Sequence, residues 1–239
     1  MMSKAALRWL VIGLAPLVHT GCQNGEPQAS WGPSADVVLE SRGAVIEAQC
    51  VVTYYPRDYK TRYFSTQVHT ISPGTNGFVA KAVEPEGELF WRLSGDRFES
   101  SIPPSAAGTL PVSLINRDVI QAIATCFLAS AGYYDLSKFR QLDKGMVHGR
   151  WYQPLQPPGD DKPTEVTLFM LPEEGRVDMV RVVSGDTAVT VHAYSDRLLS
   201  EVSRQVPTRM DVFSGPSSTS ESVRIFSIDY SNFNVLRKN

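Results

Sequence analysis

From Gly43 onward the apolar residues recur at every second position. In Ala44-Ile46-Ala48-Cys50-Val52-Tyr54 the even positions are apolar, with Glu47, Gln49 and Thr53 between them. Successive side chains of a strand point to opposite faces, so this alternation predicts a strand with one face on a core. Segments around Arg62–Ser72, Gly77–Val83 and Glu88–Leu93 follow. They are parted by Pro73-Gly74-Thr75-Asn76-Gly77 and Glu84-Pro85-Glu86-Gly87, both rich in turn formers. Short links between neighbouring strands imply antiparallel hairpins.

The period then changes once. After a Pro/Ser/Ala/Gly loop at Ser101–Leu110, Ile115, Val119, Ile123 and Phe127 recur at helical spacing, with Leu114, Ile120 and Leu128 beside them. This predicts a helix over Val112–Ala131, stopped at Gly132 and largely covered by the sheet. Strands resume at Met146–Gln153, Thr164–Leu171, Arg176–Ser184, Thr187–Tyr194, Arg209–Phe213 and Ser222–Tyr230. The expected fold is mainly β (α+β): an antiparallel incomplete barrel of roughly ten strands covered by one main helix.

The N-terminus breaks the pattern. Lys4 and Arg8 precede the apolar run Trp9–Val18, which is too short to span a bilayer and fits an export signal. Gly13 and Pro16 argue against a long buried helix there. Val18-His19-Thr20-Gly21-Cys22 resembles the lipobox of lipoprotein precursors, in Gly21 and Cys22 above all. The expected organisation is a lipoprotein signal peptide over residues 1–21, a lipidated Cys22 with a flexible tether to residue 42, and one β domain over 43–239. The tether reading rests on its Asn, Gly, Pro, Ser and Gln content, which cannot bury enough apolar area to offset ordering entropy. Ordinary secretion, with Cys22 a free or bonded thiol, is the alternative. Gln23 is not the aspartate that retains some lipoproteins in the inner membrane, so the expected place is the outer membrane, facing the periplasm.

Composition removes other partners and chemistries. The 239-residue chain is 42% hydrophobic and 20% charged, with a net charge of −2 and a pI of about 6.1. It has no basic run, so no field favours nucleic acid. His69, His148 and His192 are isolated in sequence and lack metal-ligand spacing, so no metal is expected. A nucleophile elbow and a phosphate loop are both missing from the sequence. Asp160-Asp161 and Glu173-Glu174 fall in turns, where solvation explains them. No catalytic residue, cofactor or enzymatic activity is therefore expected.

The second half has a recognisable order. A buried helix precedes Gly145-Met-Val-His-Gly-Arg-Trp-Tyr-Gln-Pro-Leu155, then a charged hairpin and a strand ending Tyr194-Ser195. Val206-Pro207-Thr208-Arg209 and a last strand ending Ile228-Asp229-Tyr230-Ser231-Asn232-Phe233 complete it. This order resembles the LolA/LolB-like superfamily of periplasmic lipoprotein carriers. The resemblance implies an incomplete antiparallel barrel, closed by helices, around an apolar cavity for acyl chains, and it spans roughly 43–236. No binding residue of that family is carried over to a position here.

In such a half-barrel Ile115, Val119, Ile123 and Phe127 of the helix, with Trp91 of the meander, are expected to line a ligand cavity. The expected function is a membrane-anchored protein that binds or transfers a lipid or lipoprotein. In a filled barrel the same residues are simply core, and the chain is then a scaffolding envelope lipoprotein. With Cys22 lipidated, Cys50 and Cys126 remain as a pair in an oxidising compartment. They are read either as a disulfide or as two buried thiols.

Overall fold

In the computed structural model the described residues are 44–55, 62–75, 77–84, 87–95, 97–101, 114–158, 164–219 and 221–237. The expected signal peptide, Cys22 and the tether lie outside them. A first run of hairpins comprises β1 (Ala44–Tyr54), β2 (Tyr63–Ser72), β3 (Gly77–Glu84), β4 (Gly87–Ser94) and β5 (Arg97–Ser101). The helix α1 (Arg117–Ser130) follows. Then come β6 (Arg140–Gln141), β7 (Gly145–Val147), β8 (Arg150–Gln156), β9 (Thr164–Leu171) and β10 (Arg176–Ser184). The chain closes with β11 (Thr187–Leu199), β12 (Arg204–Pro216) and β13 (Val223–Arg237).

The strands form one 13-stranded sheet in the order β5-β4-β3-β2-β1-β13-β12-β11-β10-β9-β8-β6, with β7 paired to β8 alone. Every pairing is antiparallel, and β1 against β13 joins the first and last described strands in mid-sheet. Among the described residues the edge strands β5 and β6 do not meet, so the barrel is open. Register shifts in β1 at Glu47/Gln49 and in β10 at Val177/Met179 bend the sheet.

The strand count exceeds the roughly ten expected, mainly because β5 and β6 are short and only weakly patterned. The run Met146–Gln153 is two strands, since Val147 and Arg150 pair across a turn at His148-Gly149. The helix begins five residues later than expected, where Asn116 caps it by accepting from the Val119 amide at 3.0 Å. A side-chain acceptor there satisfies one of the first-turn N–H groups that have no partner within the helix.

The main core lies on the inner face of the sheet. Ile46, Ala48, Cys50 and Val52 of β1, Val180 and Val182 of β10, and Val212 of β12 all bury there with α1. From Val119 to Ser130 every helix residue is buried. Ala122, Cys126 and Ala129 form a small-residue stripe, and the Cys126 thiol reaches the Val191 carbonyl on β11 at 3.6 Å. Phe127 turns the other way and meets Tyr230 of β13 edge to face, with ring centroids 5.6 Å apart. The helix thus straddles the middle of the sheet. At its end Gly132 takes the left-handed conformation (φ 69), and Arg204 donates to its carbonyl at 2.6 Å.

Candidate functional site

The residues expected to line a cavity come together, and they come together packed. Val119, Ile123 and Phe127 of α1, Ile115 just before it and Trp91 of β4 belong to one buried cluster. Phe127 is 0% exposed and Trp91 1%. The inner face between helix and sheet is therefore a packed apolar interior.

This interior contains polar groups of which the sequence pattern singled out only His69. The inner face of β2 presents Ser65, Gln67 and His69, all buried. Gln67 Nε2 donates to Tyr54 Oη at 3.1 Å. Its Oε1 accepts from His69 Nε2 at 3.0 Å, which leaves His69 Nδ1 to accept from Tyr230 Oη at 3.0 Å. The tautomer follows from the partners. Burial pushes the His69 imidazole down to about 3 and the Tyr230 phenol well above its ordinary value. His69 is thus a neutral core residue in a satisfied chain that ties β1, β2 and β13 together.

Other interior groups are stranded. Trp91 Nε1 and both amide atoms of Gln121 are buried without a hydrogen-bond partner among the described residues. Leaving such a group unpaired costs about 1–3 kcal/mol, so each calls for an explanation.

Cys50 and Cys126 are buried as free thiols. Cys50 Sγ points to the Gln67 carbonyl at 3.6 Å, while Cys126 faces Val191 and, at 3.9 Å, Ser130 Oγ. Burial pushes both thiols up, Cys126 to about 12. Burial thus holds His69 neutral and both cysteines as thiols.

His148 and His192 are distant in sequence but meet on the outer face, with ring centroids 5.7 Å apart. A turn on one side and a central strand on the other bring them together, which residue spacing could not reveal. Among the described residues no group of three or more His, Cys, Asp or Glu is placed to hold a metal ion. No described helix is long and apolar enough to cross a membrane.

No protein-family model and no curated sequence matches the chain. Among solved structures it is similar to a LolA superfamily protein from Nitrosomonas europaea, at 12% identity and TM-score 0.48, over 83% of this chain and 88% of that one. It is also similar to an outer membrane lipoprotein-sorting protein domain from Vibrio parahaemolyticus, at 10% identity and TM-score 0.39, over 84% and 88% of the two chains. A DUF1329 family protein from Desulfovibrio piger is similar at 11% identity and TM-score 0.38, over 83% and 88%.

Proposed function

We propose that this chain is a lipid-anchored envelope protein that binds or passes on an acylated molecule, lipid or lipoprotein, between α1 and the inner face of its open sheet. One observation carries the reading: a helix buried along nearly its whole length sits inside a sheet that does not close, and among the described residues the Gln121 amide and the Trp91 indole N–H beside it have no partner. A closed, finished core has no need of unpaired donors. A ligand whose polar atoms meet them while its chain takes an apolar seat satisfies both.

Magnitudes allow the exchange. Burying a dozen methylenes yields on the order of 10 kcal/mol, at about 0.8 kcal/mol each. Displacing one large core side chain costs roughly 2–5 kcal/mol. An acyl chain can therefore take part of the helix's place as α1 shifts toward the open side of the sheet. Cys22, at the end of a short export signal, supplies the anchor in this reading, and the domain faces the periplasm from the outer membrane. The reading is of a binding protein and invokes no catalysis.

A scaffolding lipoprotein with a filled barrel is the second reading, favoured by the tight burial of Phe127 and Trp91 in one cluster. Native mass spectrometry of detergent-free protein lacking residues 1–22 separates the two. Co-purifying acyl mass is expected. A clean apo mass, together with failure to take up a fluorescent fatty acid, would replace the first reading with the second.

A further inference from the structure

The outer face of the sheet carries its own small apolar cluster, Tyr152, Leu171 and Met179, with Val147 and Phe169 packed on it. Beside it opens a pocket of about 420 Å³, walled by the β7–β8 hairpin, β9, β10, β11 and the segment between β12 and β13. That volume lies within the roughly 300–1,000 Å³ of small-molecule sites.

Three features show that this pocket is built into the fold. In the hairpin turn His148 (φ 49) and Gly149 (φ 78) are both left-handed. That two-residue geometry is the one Asn-Gly fills most readily, and a histidine in its first position holds strain. Backbone strain of this kind collects where a side chain has a task, and here the ring lies against His192. The second feature is Gly215, where a Cβ would stand 2.1 Å from the Glu221 carbonyl oxygen. Only glycine lets that wall close, and Arg181 fastens the same segment by donating to the Ser217 carbonyl at 2.9 Å. The third is the mouth: Met146, which lines the pocket, pairs across the hairpin with Trp151, and they are 59% and 57% exposed.

The lining suggests what would fit. Two flexible thioethers and the Phe169 ring make an adaptable apolar wall. Arg181 and Glu221 carry opposite charges, so the pair adds no net field to select an ion. Burial, and then the neighbouring His148, push the His192 imidazole down to about 4, so at neutral pH it offers one donor and one acceptor.

We propose that this outer pocket binds an uncharged amphiphile, with a slender apolar body against Met146, Met179 and Phe169 and a hydroxyl or amide head hydrogen-bonded by His148 and His192. The site is separate from the interior beneath α1 and requires nothing of it.

The test uses the full chain as purified from cells, incubated with a monoacylglycerol bearing a diazirine in its chain, irradiated and mapped by peptide mass spectrometry. Labelling is expected on peptides containing Met146 and Met179, and excess unlabelled monoacylglycerol should suppress it more effectively than the fatty-acid anion. His148→Gly is expected to reduce labelling about tenfold, the equivalent of one lost hydrogen bond, while its melting temperature stays level or rises as the turn strain is relieved. Ala188→Phe, which fills the pocket from its wall, is expected to reduce labelling as well. Labelling unchanged by both substitutions, or equal competition by the anion, would overturn the proposal. Labelling confined to peptides of α1 would overturn it too, while leaving the interior reading standing.

Discussion

At the scale of single residues, the buried His69 and the half-buried His192 make the stability depend on pH. The unfolded imidazole titrates near 6.5, whereas His69 is held at about 3 and His192 at about 4. The folded values are the lower ones, so the unfolded chain binds the extra protons. Stability is therefore full above about pH 6.5 and is lost as pH falls toward the folded values. Each pH unit in that window costs about 1.4 kcal/mol per histidine. Urea unfolding at about pH 7 and pH 5 should show a loss of about 2 kcal/mol from each, and His69→Gln should remove roughly half of the total. Equal pH slopes in the two proteins would mean that His69 is not held neutral in the fold. The thiols make a second residue-scale prediction. Alkylation of native protein should leave Cys50 and Cys126 untouched, and alkylation after unfolding without reductant should modify both. A mass without those two additions would reveal a disulfide.

The same scale shows what the sequence conceals. Ile46 and Val52 announce the inner face of β1 through their alternation with polar neighbours. The inner face of β2 runs Ser65, Gln67, His69 and Ile71, and its three polar residues alone read as solvent-facing. Its burial becomes intelligible only when β1 and β13 place Tyr54 and Tyr230 within hydrogen-bonding reach. A satisfied polar seam depends on partners up to 161 residues away in sequence.

Among the elements, α1 was the most legible because its apolar residues cover so wide an arc. Its start was less so, since Leu114 and Ile115 continue the apolar pattern past the true boundary at Asn116. Asn116→Ala should cost about 1 kcal/mol, the usual value of a lost N-cap, measured by chemical denaturation. Phe127→Ala should cost about 3–5 kcal/mol if the interior is fully packed around it. A clearly smaller loss in the apo protein, with altered retention of an acyl probe, is the outcome expected of a ligand seat. The β7–β8 hairpin was hidden for a different reason. Its turn carries histidine where the usual signal is Asn or Asp before glycine, so the segment reads as one continuous strand.

At the scale of the whole molecule, the open sheet protects its ends. Edge strand β5 carries the ion pairs Arg97–Glu99 at 2.8 Å and Arg92–Glu99 at 3.5 Å, and β6 is only two residues long. Charge and brevity both discourage a second sheet from adding there. Anchoring is tested at this scale too: Cys22→Ser should move the chain from the membrane fraction to the soluble one, because acyl chains supply the membrane affinity. Unchanged membrane retention would dismiss the anchor.

The pairing of β1 with β13 has a kinetic meaning. Among the described strands, β1 is made first and finds its second neighbour only in β13, which is made last. Until then β1 has one bare edge and β12 another. Loop closure over nearly the whole domain must precede that contact, and such non-local pairing is slow. Folding should thus be completed in one late step, once the whole of β13 has been released. A chain stopped after Ser222 should accumulate as aggregate or be degraded, whereas trimming only Lys238 and Asn239, beyond β13, should leave refolding rates unchanged in stopped-flow fluorescence.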